Sequence, residues 1–228
     1  LFAVLTQYIM SNQVATGLGL TMVGLGLSAL IGKPYEGIRS PTLSKIEIPI
    51  LSDIPILGPM IFSHDAIVYF SVILVATVAF VISKTRIGLV LRAVGENQEA
   101  AHALGYKVVR IRFLAIMFGG ATAGIGGAYI SLARVPQWTE GMTAGAGWIA
   151  LALVVFASWK PWRVLLGAYL FGGITVLQLN LQAIGVAIPV EILSMSPYLV
   201  TIVVLVGISL FGHHTAPGSL ARPFHASQ

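Results

Sequence analysis

Two groups of residues in this sequence could do chemistry, and neither is arranged as a catalytic set. The first is a polar run in an otherwise apolar chain, Arg92-Ala93-Val94-Gly95-Glu96-Asn97-Gln98-Glu99-Ala100-Ala101-His102-Ala103-Leu104-Gly105. Asn97 suits the residue before a helix, because its side-chain oxygen can accept from the free N–H groups that open one. Gln98, Glu99, Ala100, Ala101 and Ala103 favour helix, and Gly105 supplies a stop. Ala100, Ala101 and Leu104 are spaced to give a small apolar patch. A helix of about two turns with such small side chains can lie across a membrane surface and enter a partner's groove. The second group consists of amides and hydroxyls within apolar stretches: Asn12, Gln13 and Thr16, then Gln178, Asn180 and Gln182. Gln178 and Gln182, four apart, share a helix face. Such groups can hydrogen-bond a solute's hydroxyls or a nucleobase edge, and they can equally join helices to one another. Tyr129, Thr143 and Trp148 are further candidates for a solute path. His213, His214 and His225 read as part of a solvated tail, so no metal is expected, and nothing calls for a cofactor. Cysteine is absent, which excludes disulfides and thiolate ligands. Glu140 and Glu191 stand alone, so no acid–base cluster argues for an enzyme.

The elements that must hold these residues are set by composition. Of 228 residues 57% are hydrophobic and 9% charged, against about 25% charged in a soluble domain. Mean hydropathy is +0.90. So little polar surface cannot solvate a globule. No Asp, Glu, Lys or Arg occurs in Leu1–Gly32, Ala66–Ser83, Phe113–Ala133, Gly141–Trp159, Val164–Val190 or Ile192–Ala221. Each stretch reaches or nearly reaches the ~20 residues that cross a bilayer as a helix. In lipid the backbone must pair within its own segment, which favours helices; spanning β-strands would be about half as long and alternate in polarity. The expected fold is therefore all-α: a polytopic transmembrane bundle of about six spans with one short cytoplasmic helix.

Along the chain, Leu1–Ile9 reads as the tail of an earlier span. Spans are expected at Val14–Ile31, Ala66–Ser83, Phe113–Leu132, Trp148–Ala157 (short), Val164–Gln182 and Tyr198–Phe211. The loop over residues 32–65 is broken by Pro34, Pro41, Pro49, Pro55 and Pro59, with a short strand expected at Lys45–Leu51. Residues 84–112 form a charged segment, and residues 212–228 a polar tail rich in Pro and Gly. Gly120, Gly124 and Ala128, with Ala123 and Gly127, have the small-xxx-small spacing that lets helices approach closely, and Gly167, Gly172 and Gly173 offer a similarly small surface. The opening apolar stretch has no basic flank before it, so no signal peptide is expected.

Alternating the spans puts Lys84, Arg86, Arg92, Lys107, Arg110, Arg112, Lys160, Arg163 and Arg222 on one side, and Lys33, Arg39, Lys45 and Arg134 on the other. The basic excess places residues 84–112 and the C-terminus in the cytoplasm and residues 32–65 outside. This clustering also accounts for the net charge of +5 without a nucleic-acid partner. Trp138, Trp148, Trp159 and Trp162 fall near span ends, where indoles prefer the interface.

A bundle of this kind can be a channel, a secondary carrier, a membrane enzyme or a subunit driven by another chain. Proton-coupled carriers keep ionisable groups inside the membrane, and these spans contain none; sodium sites built from carbonyls and hydroxyls stay open. No nucleotide site is present either: at Gly32-Lys33, Leu27 stands where a phosphate loop needs its first glycine and Pro34 replaces Ser/Thr. Active transport would need a separate motor; read locally, the Asn97–Leu104 helix suits a handle for it and equally suits an ordinary amphipathic loop helix.

The run Thr85-Arg86-Ile87-Gly88-Leu89-Val90-Leu91-Arg92-Ala93-Val94-Gly95-Glu96-Asn97, followed by Ala100-Ala101, Gly105 and Arg110-Ile111-Arg112, resembles the permease subunits of binding-protein-dependent ABC importers. The branch is that of ribose-type sugars, nucleosides and branched-chain amino acids. Gly119-Gly120-Ala121, Gly124-Ile125-Gly126-Gly127-Ala128-Tyr129, Gly141-Met142-Thr143-Ala144-Gly145, Trp148-Ile149-Ala150-Leu151-Ala152 and Asn12-Gln13-Val14-Ala15-Thr16-Gly17-Leu18 extend the likeness over nearly the whole chain. Within the branch the sequence looks most like nucleoside or simple-sugar permeases served by a receptor lipoprotein. The resemblance implies a non-catalytic half-transporter in the cell membrane that works by alternating access. Its partners would be a second, related permease, two cytoplasmic ATPase subunits and an external solute-binding protein. Glu96, Asn97, Glu99, Ala100, Ala101 and Gly105 would make the ATPase contact through a coupling helix. Family members begin with further spans, so the resemblance also implies that the chain lacks the first part of such a bundle.

Overall fold

Helix starts in this chain are written locally. Asn12 opens α2 (Gln13–Gly32), its Oδ1 accepting from Val14 N at 3.0 Å and Ala15 N at 3.1 Å. Thr85 opens α4 (Arg86–Glu96) through Oγ1, which accepts from Gly88 N at 3.2 Å. Pro161 opens α8 (Pro161–Ala183), where its missing N–H has no partner to lose. The computed structural model describes residues 1–47, 63–143, 145–185, 189, 191–192, 195, 198–200, 202–203, 206–207 and 216–224. The remaining helices are α1 (Phe2–Gln7), α3 (Ala66–Lys84), α5 (Gln98–Ala103), α6 (Val108–Tyr129) and α7 (Ala146–Phe156), and α6 runs on into a wider π turn at Ile130–Arg134.

Among the described residues four helices are long and apolar enough to cross a bilayer: Gln13–Tyr35, Ala66–Lys84, Val108–Arg134 and Pro161–Ala183, with mean hydropathies of 1.9, 2.5, 1.6 and 1.7. These answer to four of the expected spans. The Trp148–Ala157 stretch forms α7, whose 11 residues reach only about 16 Å at 1.5 Å per residue, short of a ~30 Å core. Half of Tyr198–Phe211 lies outside the described residues, as do His213, His214 and His225. The strand expected at Lys45–Leu51 is present as β1 (Lys45–Glu47), paired antiparallel with β2 (Ser63–Asp65); residues 48–51 lie outside the described residues.

The chain divides into two units. One comprises residues 1–71, 84–144 and 217–228, the other residues 72–83 and 145–216. In the first, α1 packs on α2 and α6, with Tyr8 meeting Phe113 edge-to-face at 6.0 Å. Trp138 covers Gly32 so closely that any side chain there would overlap the indole. Bridges between Glu36 and Trp138 and between Arg39 and Gln137 hold the same two stretches together. They border a cavity of about 640 Å3 that includes Tyr35, Arg39 and Trp138. In the second unit α7 packs on α8. The reversal between them uses left-handed backbone at Ser158 (φ 50°) and Trp159 (φ 57°), and a Cβ on Gly167 would sit 2.7 Å from the Phe156 ring.

Gly167 thus has the close contact that small-residue spacing promises. Among the described residues, Gly120, Gly124, Gly127, Gly172 and Gly173 have no such neighbour within 4 Å. Almost none of the span surface is buried within the chain, and large side chains such as Met22, Leu30, Leu114 and Leu166 stand more than half exposed. A surface this apolar has to be covered by lipid or by other helices.

Candidate functional site

The polar run between α3 and α6 folds as two short helices around a single extended residue. Asn97 ends α4 and starts α5, with φ −144° and ψ 99°. Its Oδ1 accepts from Glu99 N at 3.1 Å and Ala100 N at 3.0 Å, and its carbonyl accepts from Ala101 N at 3.1 Å. Glu99 in the first turn and His102 in the last complement the partial charges of the helix ends. At the far end Gly105 takes φ +88°, a conformation that costs glycine nothing. Its N–H donates to the His102 carbonyl at 2.8 Å. The helix and its cap are as the sequence indicates.

Its faces differ from the expected patch. Ala100 and Leu104 point outward, Leu104 being 76% exposed, whereas Ala101 is 2% exposed. One residue along a helix is a turn of about 100°, so Ala100 and Ala101 cannot both lie at the centre of one face. Ala101 joins Val94, Val108 and Phe224 in a small buried cluster, flanked by Val90, Val109 and Ile111. Glu96, Asn97, Glu99, Ala100 and Gly105 are exposed.

Residues 216–224 supply much of the cover, although by composition they belong to a solvated tail. Ser219 N donates to Gly95 O at 2.9 Å, and Ser219 Oγ donates to Glu96 O at 3.3 Å. The same hydroxyl accepts from Gln98 N at 3.1 Å. The first turn of a helix leaves N–H groups without intrahelical partners; in α5, Asn97 satisfies those of Glu99 and Ala100 and Ser219 satisfies that of Gln98. Gly218 lies so near Glu96 that a Cβ would come within 2.7 Å of its carbonyl oxygen. Phe224, 7% exposed, sets its ring against His102 at 5.3 Å. The Gln98 side chain, also 7% exposed, donates from Nε2 to Pro223 O at 2.9 Å and accepts at Oε1 from Arg112 of α6 at 2.7 Å.

The sequence reading had not singled out Gln98, Arg112, Ser219, Pro223 or Phe224 as site residues. The available signal was Phe224, a lone aromatic in a tail otherwise Pro/Gly-rich and polar.

The candidate pathway residues fall in both units. In the first, Asn12 is engaged as the cap of α2, and Thr16 Oγ1 lies 2.8 Å from Ser11 Oγ. Ser11 Oγ also donates to Leu5 O at 2.9 Å. Gln13 begins the helix, partly buried. Tyr129 OH donates to Asp65 Oδ2 at 3.4 Å, and Thr143 is exposed. In the second unit, Asn180 Nδ2 donates to Val176 O of its own helix at 3.0 Å. Gln178 and Gln182 are partly buried on one face of α8, and Trp148 stands 73% exposed in the first turn of α7.

The family model described as the permease component of the branched-chain amino acid transport system matches residues 1–209. A putative glucose ABC transporter permease of Haloferax volcanii is 39% identical, over 86% of this chain and 66% of that relative. A nucleoside ABC transporter permease of Lactococcus lactis is 33% identical, over 90% of this chain and 67% of its own length. A guanosine ABC transporter permease of Bacillus subtilis is 33% identical, over 94% and 69%. The chain therefore spans about two thirds of the length of these relatives. No solved structure matches it.

Proposed function

The chain belongs to the permease family of the branched-chain amino acid transport system, and from that premise we propose that it is the membrane subunit of an ATP-driven importer of a small polar solute. The solute class we infer is nucleoside, purine or simple sugar, in line with the glucose, nucleoside and guanosine permeases it is similar to. The subunit performs no catalysis; two separate ATPase subunits hydrolyse ATP. A second permease, most simply a related but different chain, completes the pathway, and an external binding protein or lipoprotein delivers solute. Residues 84–112 and 212–228 are cytoplasmic in this reading and residues 32–65 external. Residues 198–211 add a further span in this reading, and the short α7 stretch, entering the bilayer without crossing it alone, brings the bundle toward the six expected.

The observation that carries the proposal is α5: a helix capped at both ends, with Glu99, Ala100 and Leu104 turned outward and Ala101 packed inward. We assign the ATPase contact to Glu96, Asn97, Glu99, Ala100 and Gly105, with Ala101 seating the helix from behind. Closure of the ATPases on ATP would displace this helix and switch the bundle between outward- and inward-open forms. Only differential contacts between two states can drive such a switch, which is why a rigid handle matters. Solute would pass polar groups drawn from Asn12, Gln13, Thr16, Tyr129, Thr143, Trp148, Gln178, Asn180 and Gln182.

Affinity purification from cells expressing the whole gene cluster tests the proposal. The chain should bring down an ATPase, and proteoliposomes should import solute only with ATP inside and receptor outside. Import by the chain alone, without an ATPase, would mark it instead as a self-contained carrier or channel.

A further inference from the structure

We propose that the C-terminal strap, residues 216–224, is a permanent half of the coupling device, and that Gln98 is the positioning residue that locks α5 to both the strap and α6. This rests on the coupling role given to α5 above. The argument begins with the joints of that helix. Extended Asn97 stands at one end, and left-handed Gly105 followed by Tyr106 and Lys107 at the other. A six-residue helix between two such joints would swivel when pushed, and the push would be lost before reaching α6. Something must triangulate it.

Gln98 does so from one buried side chain. Oε1 takes the Arg112 guanidinium of α6 at 2.7 Å, and Nε2 reaches Pro223 O of the strap at 2.9 Å. Its backbone N–H meets Ser219 Oγ at 3.1 Å. The strap in turn grips α4 through Ser219 N to Gly95 O, and buries Phe224 beside Ala101 and Val108. The Gln98 side chain therefore joins α5 to α6 and to the strap, and Ser219 of the strap carries the connection on to α4. The position needs a donor and an acceptor on the same planar group, which an amide has and a carboxylate or alkyl chain lacks. Gln98→Glu keeps the Arg112 contact and sets an anion against the Pro223 carbonyl; Gln98→Leu loses both.

The test uses the assembled transporter in proteoliposomes, with solute imported per ATP hydrolysed as the readout. Gln98→Glu and Gln98→Leu are expected to retain their ATPase partner and hydrolyse ATP while import per ATP falls about tenfold, within the usual span of coupling between sites. Ending the chain after Ala216 should give the same uncoupling. The strap is also expected to stay in place throughout the cycle. A Cβ on Gly95 would lie 3.7 Å from that of Pro217, inside the ~3.5–4.5 Å that a disulfide needs, and the chain has no other cysteine. Gly95→Cys with Pro217→Cys should therefore crosslink on oxidation and leave import per ATP unchanged.

Wild-type coupling in Gln98→Leu would overturn the proposal. So would loss of ATPase binding in both Gln98 variants, failure of the cysteine pair to crosslink, or a crosslink that stops import until reduced. Absence of any ATPase on the wild-type chain would sink the importer reading instead, since the crosslink can be scored on the isolated chain.

Discussion

Replacing Asn97 by alanine isolates the cap from everything else that holds α5. The Asn97 carbonyl still accepts from Ala101 N, and the strap still supplies Ser219 to Gln98 N. What disappears is Oδ1, and with it the partners of Glu99 N and Ala100 N. Both bonds are exposed, so water takes over the two N–H groups and the penalty for a buried orphan does not apply. The cost should then be that of a lost N-cap, about 1 kcal/mol. At room temperature this multiplies the population of the opened helix by about five. Hydrogen exchange on the purified full-length chain reads it directly. The amides of Ala101, Leu104 and Gly105, bonded to Asn97 O, Ala100 O and His102 O, should exchange about fivefold faster, while those in the middle of α4 and α6 keep their rates. Asn97→Asp restores an acceptor and should restore protection; Asn97→Gly should lose only a few tenths of a kcal/mol. Unchanged exchange in Asn97→Ala, or Asn97→Asp behaving like Asn97→Ala, would refute the assignment of the cap.

Phe224→Ala removes the one aromatic of the buried cluster and should cost about 3 kcal/mol, the low end for a buried phenylalanine, seen as protease cleavage of the tail under conditions that leave the wild-type tail intact. Gly218→Val drives a side chain into the Glu96 carbonyl and should release the strap to a similar extent in the same assay. Gly167→Leu forces a branched chain into the Phe156 ring; such overpacking costs about 1–3 kcal/mol and should lower the melting temperature in detergent, whereas Gly172→Ala should not lower it, because no described neighbour lies within 4 Å of that position and alanine favours helix over glycine.

The spans and the handle were legible because both follow from rules of short range. A charge-free stretch such as Ala66–Ser83 needs only its own length to specify a helix in lipid, and α3 covers Ala66–Lys84. Asn97 and Gly105 set the ends of α5 through groups within three residues of themselves. Spacing is less informative about partners. It puts Gly120, Gly124 and Gly127 within reach of close packing, yet no described residue lies within 4 Å of a Cβ placed there, and of the glycines singled out on α8 Gly167 alone meets a ring among the described residues. Amide chemistry is also ambiguous locally: a side chain such as Asn12 can line a solute path or start a helix, and its oxygen caps α2. The strap was illegible for a different reason. Ser219 and Pro223 reach Glu96 and Gln98 across more than a hundred residues of chain, and nothing periodic links the two ends.

That distant closure bears on how work can enter the bundle. The charge-free stretches lack the ionisable groups that a proton-driven machine would need, and in the importer proposed above the drive arrives as force on a surface element. A lone six-residue helix is a poor receiver of force, because isolated helices of that length barely hold their shape in water. Two devices change this. Asn97 and Ser219 together satisfy the opening N–H groups, which keeps α5 wound, while Gln98 and Ala101 anchor its inner side to α6 and the strap. The outward residues Glu99, Ala100 and Leu104 are left unengaged by the cluster. Load applied to them meets a braced element at every turn, and the shortest route away from it is the 2.7 Å contact between Gln98 and Arg112 into the first turns of α6.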